Sequence, residues 1–330
     1  MIERLWKGKK ARTMPPKVYI DGHVGTTGLR IRDWMAERSD VELLTLPEEQ
    51  RKSRDARREL LCEADVAILC LPDDASREAA EWAEQTNTRL IDASTAHRVQ
   101  DGWVYGLPEL HPDQRDAIRQ AKYVANPGCY PSAFLLPTRP LIDAGLIEKD
   151  AALSVHALSG SSGGGRKLIE KWEDPKLALG ALVYEAPYAL ARVHKHVPAM
   201  TKYSLLQHEP QFVPAVGPFR CGMRVQIPLH ASLLQRGDGD AVWEVLNERY
   251  QNEPFITVMP NERPLHVNEH SFDPQACNDT NRLEIYVAPH PSGHILLIAL
   301  LDNLGKGACG VAIQSLNLML GLPETTGLPV

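Results

Sequence analysis

The chain reads Tyr19-Ile20-Asp21-Gly22-His23-Val24-Gly25-Thr26-Thr27-Gly28-Leu29 where its first apolar run gives way to its first helical pattern. Glycines spaced in this way between a strand and a helix allow a tight turn and the close approach of a pyrophosphate. Free N–H groups at the helix start attract the anion. The bare spacing is weak; its place as the first strand-to-helix turn of a βαβ run is what marks a dinucleotide site. Outward from it, short apolar runs predict strands at 17–21, 41–46, 66–71, 90–93 and 122–125, and helical patterns fall at 27–38, 54–63 and 74–85. Uninterrupted apolar strands suit burial on both faces, and connections of this length suit parallel pairing. The expected fold class is α/β, a doubly wound parallel sheet of the Rossmann type.

Beyond residue 126 the texture changes. One helical pattern at 132–144 is followed by longer β-rich runs at 151–158, 220–230, 283–288 and 294–301. The last two flank Pro289-His290-Pro291-Ser292-Gly293 and read as a hairpin, which predicts a second, mixed α+β domain. A helical pattern at 307–320 closes the chain, stopped by Gly321 and Pro323. Residues 1–13 show no apolar periodicity and read as a disordered extension.

Composition removes several function classes. Lys and Arg total 36 against 42 Asp and Glu, a net charge of −6, so no general cationic field draws nucleic acid. No uncharged apolar run reaches the roughly 18 residues a membrane helix needs. The six cysteines at 62, 70, 129, 221, 277 and 309 form neither C-x-x-C pairs nor a dense scaffold, which is the pattern of reduced cytoplasmic thiols.

One of those thiols stands apart. In Ala125-Asn126-Pro127-Gly128-Cys129-Tyr130-Pro131-Ser132 a strand ends, the chain turns, and Cys129 opens a helix with Pro131 in its first turn. Orphan N–H groups and the positive dipole end there are expected to lower the thiol pKa and make a nucleophile. Cys62 and Cys70, in apolar surroundings, read as buried structural cysteines. A proton-transfer partner is available in Tyr188-Ala189-Leu190-Ala191-Arg192-Val193-His194-Lys195-His196, where Arg192 or Lys195 can also meet an anion. That His-x-His has no acidic or cysteine ligands beside it, so it does not read as a metal site. Ser159-Gly160-Ser161-Ser162-Gly163-Gly164-Gly165-Arg166 imitates a phosphate loop but lacks its Lys-Ser/Thr ending; a donor-rich loop and a plain turn both remain open. After the second strand, Arg51, Lys52, Ser53 and Arg54 favour a 2′-phosphate and hence NADP(H), while Glu48 and Glu49 keep NAD open.

Gly22 to Gly28, Asp92-Ala93-Ser94, Tyr105-Gly106-Leu107-Pro108-Glu109-Leu110, Asn126 to Pro131, Ser159 to Gly165 and Asn303-Leu304-Gly305-Lys306-Gly307-Ala308 together span nearly everything after Met14. In these segments the chain resembles the shorter type of N-acetyl-gamma-glutamyl-phosphate reductase, within the acyl-phosphate reductase and semialdehyde dehydrogenase superfamily. It departs from the family at Cys309, where serine is frequent. The resemblance implies a cofactor domain of residues 14–129 with 303–330, joined to a glyceraldehyde-3-phosphate-dehydrogenase-like catalytic and dimerisation domain of residues 130–302. It implies Cys129 as nucleophile and His194 as general acid-base. Asn126, Ser159, Gly160, Tyr188, His196 and Arg220 are implied at the substrate. NADP(H) is implied on Gly22, Val24, Gly25, Thr26, Thr27, Gly28, Arg51, Ser53, Ser94, Gly163 and Asn303. The substrate class implied is a small acyl phosphate, turned over by a homo-oligomer, dimer or tetramer, in arginine biosynthesis. Rival readings are an aspartate-semialdehyde dehydrogenase, a non-catalytic NADP-binding protein and a cysteine hydrolase.

Overall fold

A computed structural model describes residues 14–23, 25–174, 184–261 and 272–330. Val24, the extension 1–13 and parts of two later connections lie outside the described residues. The first half builds a parallel sheet from β1 (Lys17–Asp21), β2 (Glu42–Leu44), β3 (Val66–Leu69), β4 (Arg89–Asp92), β5 (Val104–Tyr105) and β6 (Tyr123–Ala125). Its spatial order is β2-β1-β3-β4-β6-β5. The order reverses beside β1, so the glycine turn after Asp21 sits at the switch point where such sheets bind ligands.

Both faces of this sheet are covered, as the apolar strands require. Helices α2 (Arg54–Glu63) and α3 (Asp73–Glu84) bring Leu61, Ala79 and Trp82 onto Tyr19, Leu69 and Leu90. The other face receives α1 (Thr26–Met35) and α4 (Gln114–Gln120), with Ile31 and Ile118 buried against Ile20, Ile68 and Val124. Cys62 lies exposed on α2, which corrects the reading of it as buried: the apolar neighbours Leu60 and Leu61 turn inward while the thiol points out. Cys70 is half-buried at the edge of the core, and burial pushes its thiol up to about 12.

Helix α5 (Cys129–Asp143) starts three residues past β6 and leads into the second half. That half contains β7 (Ser154–Ser159), α6 (Arg166–Trp172), β8 (Ala186–Pro187), α7 (Val197–Ser204), β9 (Gln211–Val216), β10 (Met223–Leu229), α8 (Gly239–Tyr250), β11 (Ile256–Val258), β12 (Leu283–Pro289) and β13 (Ile295–Leu301). They form a mixed sheet ordered β11-β12-β13-β10-β7-β9-β8. The expected hairpin is present, with β12 and β13 antiparallel from Leu283↔Leu301 to Pro289↔Ile295. Strand β9 was not legible, because Gln211 and Pro214 break its apolar run; it pairs in parallel with β7, Ser154↔Gln211 through Ser159↔Val216. Helices α5, α7 and α8 cover one face of this sheet, burying Phe134, Leu135, Met200 and Leu246 on Val225, Leu297 and Ala299.

The chain then returns. A wide π turn over Gly305–Cys309 leads into α9 (Gly310–Leu320), which packs on the parallel sheet beside α1 and α4. Every residue from Gly310 to Met319 is buried, so α9 is a core helix, not a surface one. Leu316, fully enclosed there, gives a direct test. Leu316→Ala is expected to cost about 2–5 kcal/mol of unfolding free energy in a urea titration.

Candidate active site

The carboxyl ends of β1, β4 and β6 deliver three loops to one place. After β1, Gly22 holds φ +87°, and a Cβ there would stand 2.3 Å from the Cys70 carbonyl oxygen. A Cβ on Gly28 would stand 2.5 Å from the Gly22 oxygen, so both positions exclude any larger residue. Gly25 caps α1, and the first turn of that helix has no acidic residue to repel an anion. This is a cradle that fits a dinucleotide pyrophosphate. Thr27 faces the neighbouring cavity, and its carbonyl accepts the Cys309 thiol at 3.4 Å.

The other residues implied at the cofactor are distributed as follows. Arg51 pairs with Glu48 at 3.0 Å, and the Ser53 hydroxyl caps α2 by accepting the Ala56 N–H at 3.4 Å. Ser94 is buried, donating from its N–H and hydroxyl to Asp92 at 2.9 and 2.7 Å. Gly163 and Asn303 line the cavity. The Asn303 amide is committed on both sides: Oδ1 accepts from Gly222 N–H and Nδ2 donates to Ser162 Oγ, each at 2.8 Å.

After β6, Gly128 is the N-cap of α5 and Cys129 its first residue. The main-chain N–H groups of Tyr130 and Cys129 favour the thiolate, as do the Arg98 and Lys195 cations. Burial nevertheless outweighs them and pushes the Cys129 thiol above its ordinary pKa. This corrects the expectation of a lowered value: desolvation costs the charged form more than one helix start and two cations return. Cys129 lines a cavity of about 690 Å³ together with Asn126, Ser159, Gly160, Tyr188, His194 and His196.

The histidines come together on an irregular segment that ends in α7. His194 and His196 stand edge to face with ring centroids 4.9 Å apart, each 5.7 Å from Tyr130. The His196 main-chain N–H donates to His194 Nδ1 at 3.2 Å. The neutral ring therefore carries its proton on Nε2, which meets the Tyr188 hydroxyl at 3.4 Å. Burial, followed by Lys195, Arg192 and Arg98, lowers His194 to about 4, and burial, followed by Arg98, His194 and Lys195, holds His196 well below the usual imidazole range. Both rings are neutral at pH 7.

Arg98, which the sequence reading passed over, is the most telling residue of the site. It is buried in the loop after β4, where Nε donates to the Asn126 carbonyl and Nη2 to the Ala93 carbonyl, both at 3.1 Å. Its Nη1 has no hydrogen-bond partner among the described residues, and Arg98 lines the cavity. A Cβ on Gly128 would come within 2.8 Å of that nitrogen and 2.6 Å of His196 Nε2, so glycine is required for them to close on the turn before Cys129. The only local signal was one charged residue in Thr95-Ala96-His97-Arg98.

Two expectations for the remaining residues change. The N–H groups of Gly160, Ser161, Ser162, Gly163 and Gly165 all donate to main-chain carbonyls, so the Ser/Gly loop is a folded turn and those donors are spent. Arg220 lies outside the cavity lining, with its side chain exposed and 3.6 Å from Glu173; only its backbone serves the site, by packing on Gly160.

The fold and this cavity define a semialdehyde-dehydrogenase-type oxidoreductase. The family model for the semialdehyde dehydrogenase NAD binding domain matches residues 47–120, and that for the semialdehyde dehydrogenase dimerisation domain matches 129–303. Among solved structures, aspartate semialdehyde dehydrogenase II of Vibrio cholerae complexed with ASA shares the fold, with TM-score 0.70, 17% identity, and 94% of this chain and 99% of that one covered. The Candida albicans aspartate semialdehyde dehydrogenase with NADP shares it at TM-score 0.64 and 14% identity, over 93% of this chain and 98% of that one. More particularly, the chain belongs to the N-acetyl-gamma-glutamyl-phosphate reductase family. It is 44% identical over 319 residues to N-acetyl-gamma-glutamyl-phosphate reductase 2 of Nostoc sp., covering 95% of this chain and 99% of the relative. It is 46% identical over 310 residues to the Brucella ovis enzyme, covering 93% and 100%. Among the described residues no helix is long and apolar enough to cross a membrane.

The lowered histidines make a pH prediction. The unfolded chain protonates His194 near its ordinary 6.5, whereas the native ring resists until about 4, so unfolding takes up a proton between those values. Stability therefore falls as pH drops through that window. His194→Asn should reduce this slope by up to about 1.4 kcal/mol per pH unit, measured by urea unfolding from pH 7 to 4.5.

Proposed function

We propose that the protein reduces N-acetyl-L-glutamyl 5-phosphate to N-acetyl-L-glutamate 5-semialdehyde and phosphate with NADPH, in arginine biosynthesis. The observation that carries the reading is Cys129 at the head of α5, lining one cavity with Arg98, whose buried Nη1 has no partner among the described residues, and with His194, whose ring proton is on Nε2. Relatives that match over almost the whole chain carry the name of this activity.

NADPH is held at its pyrophosphate by the turn containing Gly22, Gly25, Thr26, Thr27 and Gly28. Arg51 and Ser53, beyond β2, would meet the 2′-phosphate end, and Gly163 and Asn303 would border the nicotinamide side. Bound there, NADPH supplies the hydride that a thioester carbonyl accepts and a carboxylate does not.

Cys129 Sγ forms a bond to the acyl carbon as the carbon–oxygen bond to phosphate breaks, and the thiol proton leaves on the phosphate. Arg98, Lys195 and the Tyr130 N–H stabilise the sulfur's negative charge during the attack. Arg98 Nη1 is the donor for the anionic substrate oxygen, and Lys195 and Arg192 extend the cationic wall towards its carboxylate. His194 is the acid-base partner: its Nε2–H turns from Tyr188 to the carbonyl oxygen, where negative charge develops as the thioester is reduced. Collapse of the thiohemiacetal releases the aldehyde and returns Cys129 as a thiolate, which takes a proton from water. Asn126, Ser159, Gly160 and His196 complete the substrate wall. The protein acts as a cytoplasmic homo-oligomer, a dimer or tetramer, in keeping with the dimerisation-domain match.

Three measurements test the reading. Phosphate-dependent NADP+ reduction is expected with N-acetylglutamate semialdehyde, and activity with aspartate semialdehyde alone would overturn the substrate assignment. Cys129→Ser should lose at least about a thousandfold in kcat with NADPH affinity retained, whereas a non-catalytic NADP-binding protein would be unaffected. Arg98→Met is expected to raise the acyl-phosphate KM by ~10- to 100-fold, the worth of a hydrogen bond to a charged group, in initial-rate assays.

A further inference from the structure

Two fully buried, oppositely charged groups take no part in the chemistry above. Lys306 and Glu109 are both fully enclosed, with Nζ 2.8 Å from Glu109 Oε1. Lys306 Nζ also donates to Gln314 Oε1 at 2.7 Å, and Gln314 Nε2 donates to the same Glu109 oxygen at 2.8 Å. The triangle joins three elements: the loop after β5 carrying Glu109, the π turn carrying Lys306, and α9 carrying Gln314. Nζ lies 5.5 Å from the centre of the Phe255 ring, which closes the site from the second half of the chain. Glu109 Oε2 has no partner among the described residues.

Such a pair is a poor device for stability, because removing two charges from water costs several kcal/mol for each ion and apolar replacements of equal volume are often neutral or better. What it supplies is direction. Lys306 stands between Gly305 and Gly307, where the backbone has little conformational preference of its own. A side chain fixed at its tip by two acceptors settles where that backbone lies. The position matters at one residue above all: a Cβ on Gly307 would be 2.7 Å from Cys129 Cβ and 3.2 Å from its Cα, so the turn bears directly on the back of Cys129. Next to it, the Ala308 carbonyl accepts from Asn126 Nδ2 at 2.9 Å, tying the same turn to the loop ahead of Cys129.

We propose that Lys306, with Glu109 and Gln314, is a positioning residue that sets Cys129 through the Gly307 backbone. The proposal rests on the reading of Cys129 as nucleophile and goes beyond it, by assigning a purpose to charges that neither bind substrate nor move a proton. It also accounts for two glycine-containing segments, Gly106 to Leu110 and Asn303 to Ala308, being brought together.

The test removes both charges at near-constant volume in Lys306→Met/Glu109→Gln, with Cys129→Ser as companion. Expected are a kcat lower by ~10- to 100-fold, as small misplacements of reacting groups produce, an NADPH affinity within about twofold of the parent, and a thermal midpoint no lower. The pH profile of Cys129 alkylation by iodoacetamide, read by mass spectrometry, is expected to shift. An unchanged kcat with an unchanged alkylation profile overturns the proposal. So does a variant that fails to fold, or one whose kcat falls only in step with NADPH affinity, since the cluster would then be a structural clamp. A Cys129→Ser enzyme that turned over normally would overturn the nucleophile reading instead, and the alkylation profile would still decide whether the cluster positions the thiol.

Discussion

The arrangement of the whole molecule depends on one backbone contact, that of Gly307 with Cys129. The chain leaves the parallel sheet at Cys129, builds an entire second sheet, and must return so that its π turn lies against the residue from which it departed. Neither half completes the cavity alone: the β1 turn, the loop with Arg98 and Cys129 come from the first, and the Ser/Gly loop and the histidine segment from the second. Helix α9 makes the return irreversible in packing terms. It is buried on all sides against the parallel sheet, so its apolar burial holds the π turn in register with α5.

Electrostatics in the cavity follow from the burial of its ionisable side chains. Burial raises the Cys129 thiol and lowers both histidines, so the free protein holds neutral groups beside a permanent cation, Arg98. An arginine with one nitrogen unpaired in such a place has an unmet demand for an anion. An anionic group entering the cavity is the natural partner for that nitrogen. The His196 N–H, fixed on His194 Nδ1, adds a second bias by keeping the ring proton on the side of Tyr188. The site is thus prepared to receive negative charge on substrate oxygen more than to store it on sulfur.

Legibility in the sequence tracked periodicity and local geometry. The apolar runs read at 66–71 and 90–93 declared buried parallel strands, and Asn126-Pro127-Gly128 before Cys129 declared a turn at a helix start. Strand β9 was hidden because Pro214 and Gln211 erase its pattern, and β9 is held by its neighbour β7, not by propensity. Arg98 carried no signal, and the motif holding Lys306 gave none of its burial, since a single charged residue in a loop looks the same whether it ends in solvent or in the core. Of the two readings left open for Ser159 to Gly165, sequence alone had no means to choose, for a related reason: glycine and serine permit many backbone paths, and the strand start near Arg220 selected one that spends the N–H groups.

The sequence by itself determined the classes of element, the glycine cradle after β1, the position of Cys129 at the head of a helix and the family to which the motifs point, because each of these is set by residues within a few positions of one another. Only the tertiary structure decided the protonation balance of Cys129 and His194, the unpaired nitrogen of Arg98, the exclusion of Arg220 from the cavity and the burial of Lys306 with Glu109. Those properties depend on how much water is removed from a group and which distant charge replaces it. Residues 197 positions apart, like Glu109 and Lys306, acquire that relation only when the chain has folded back on itself.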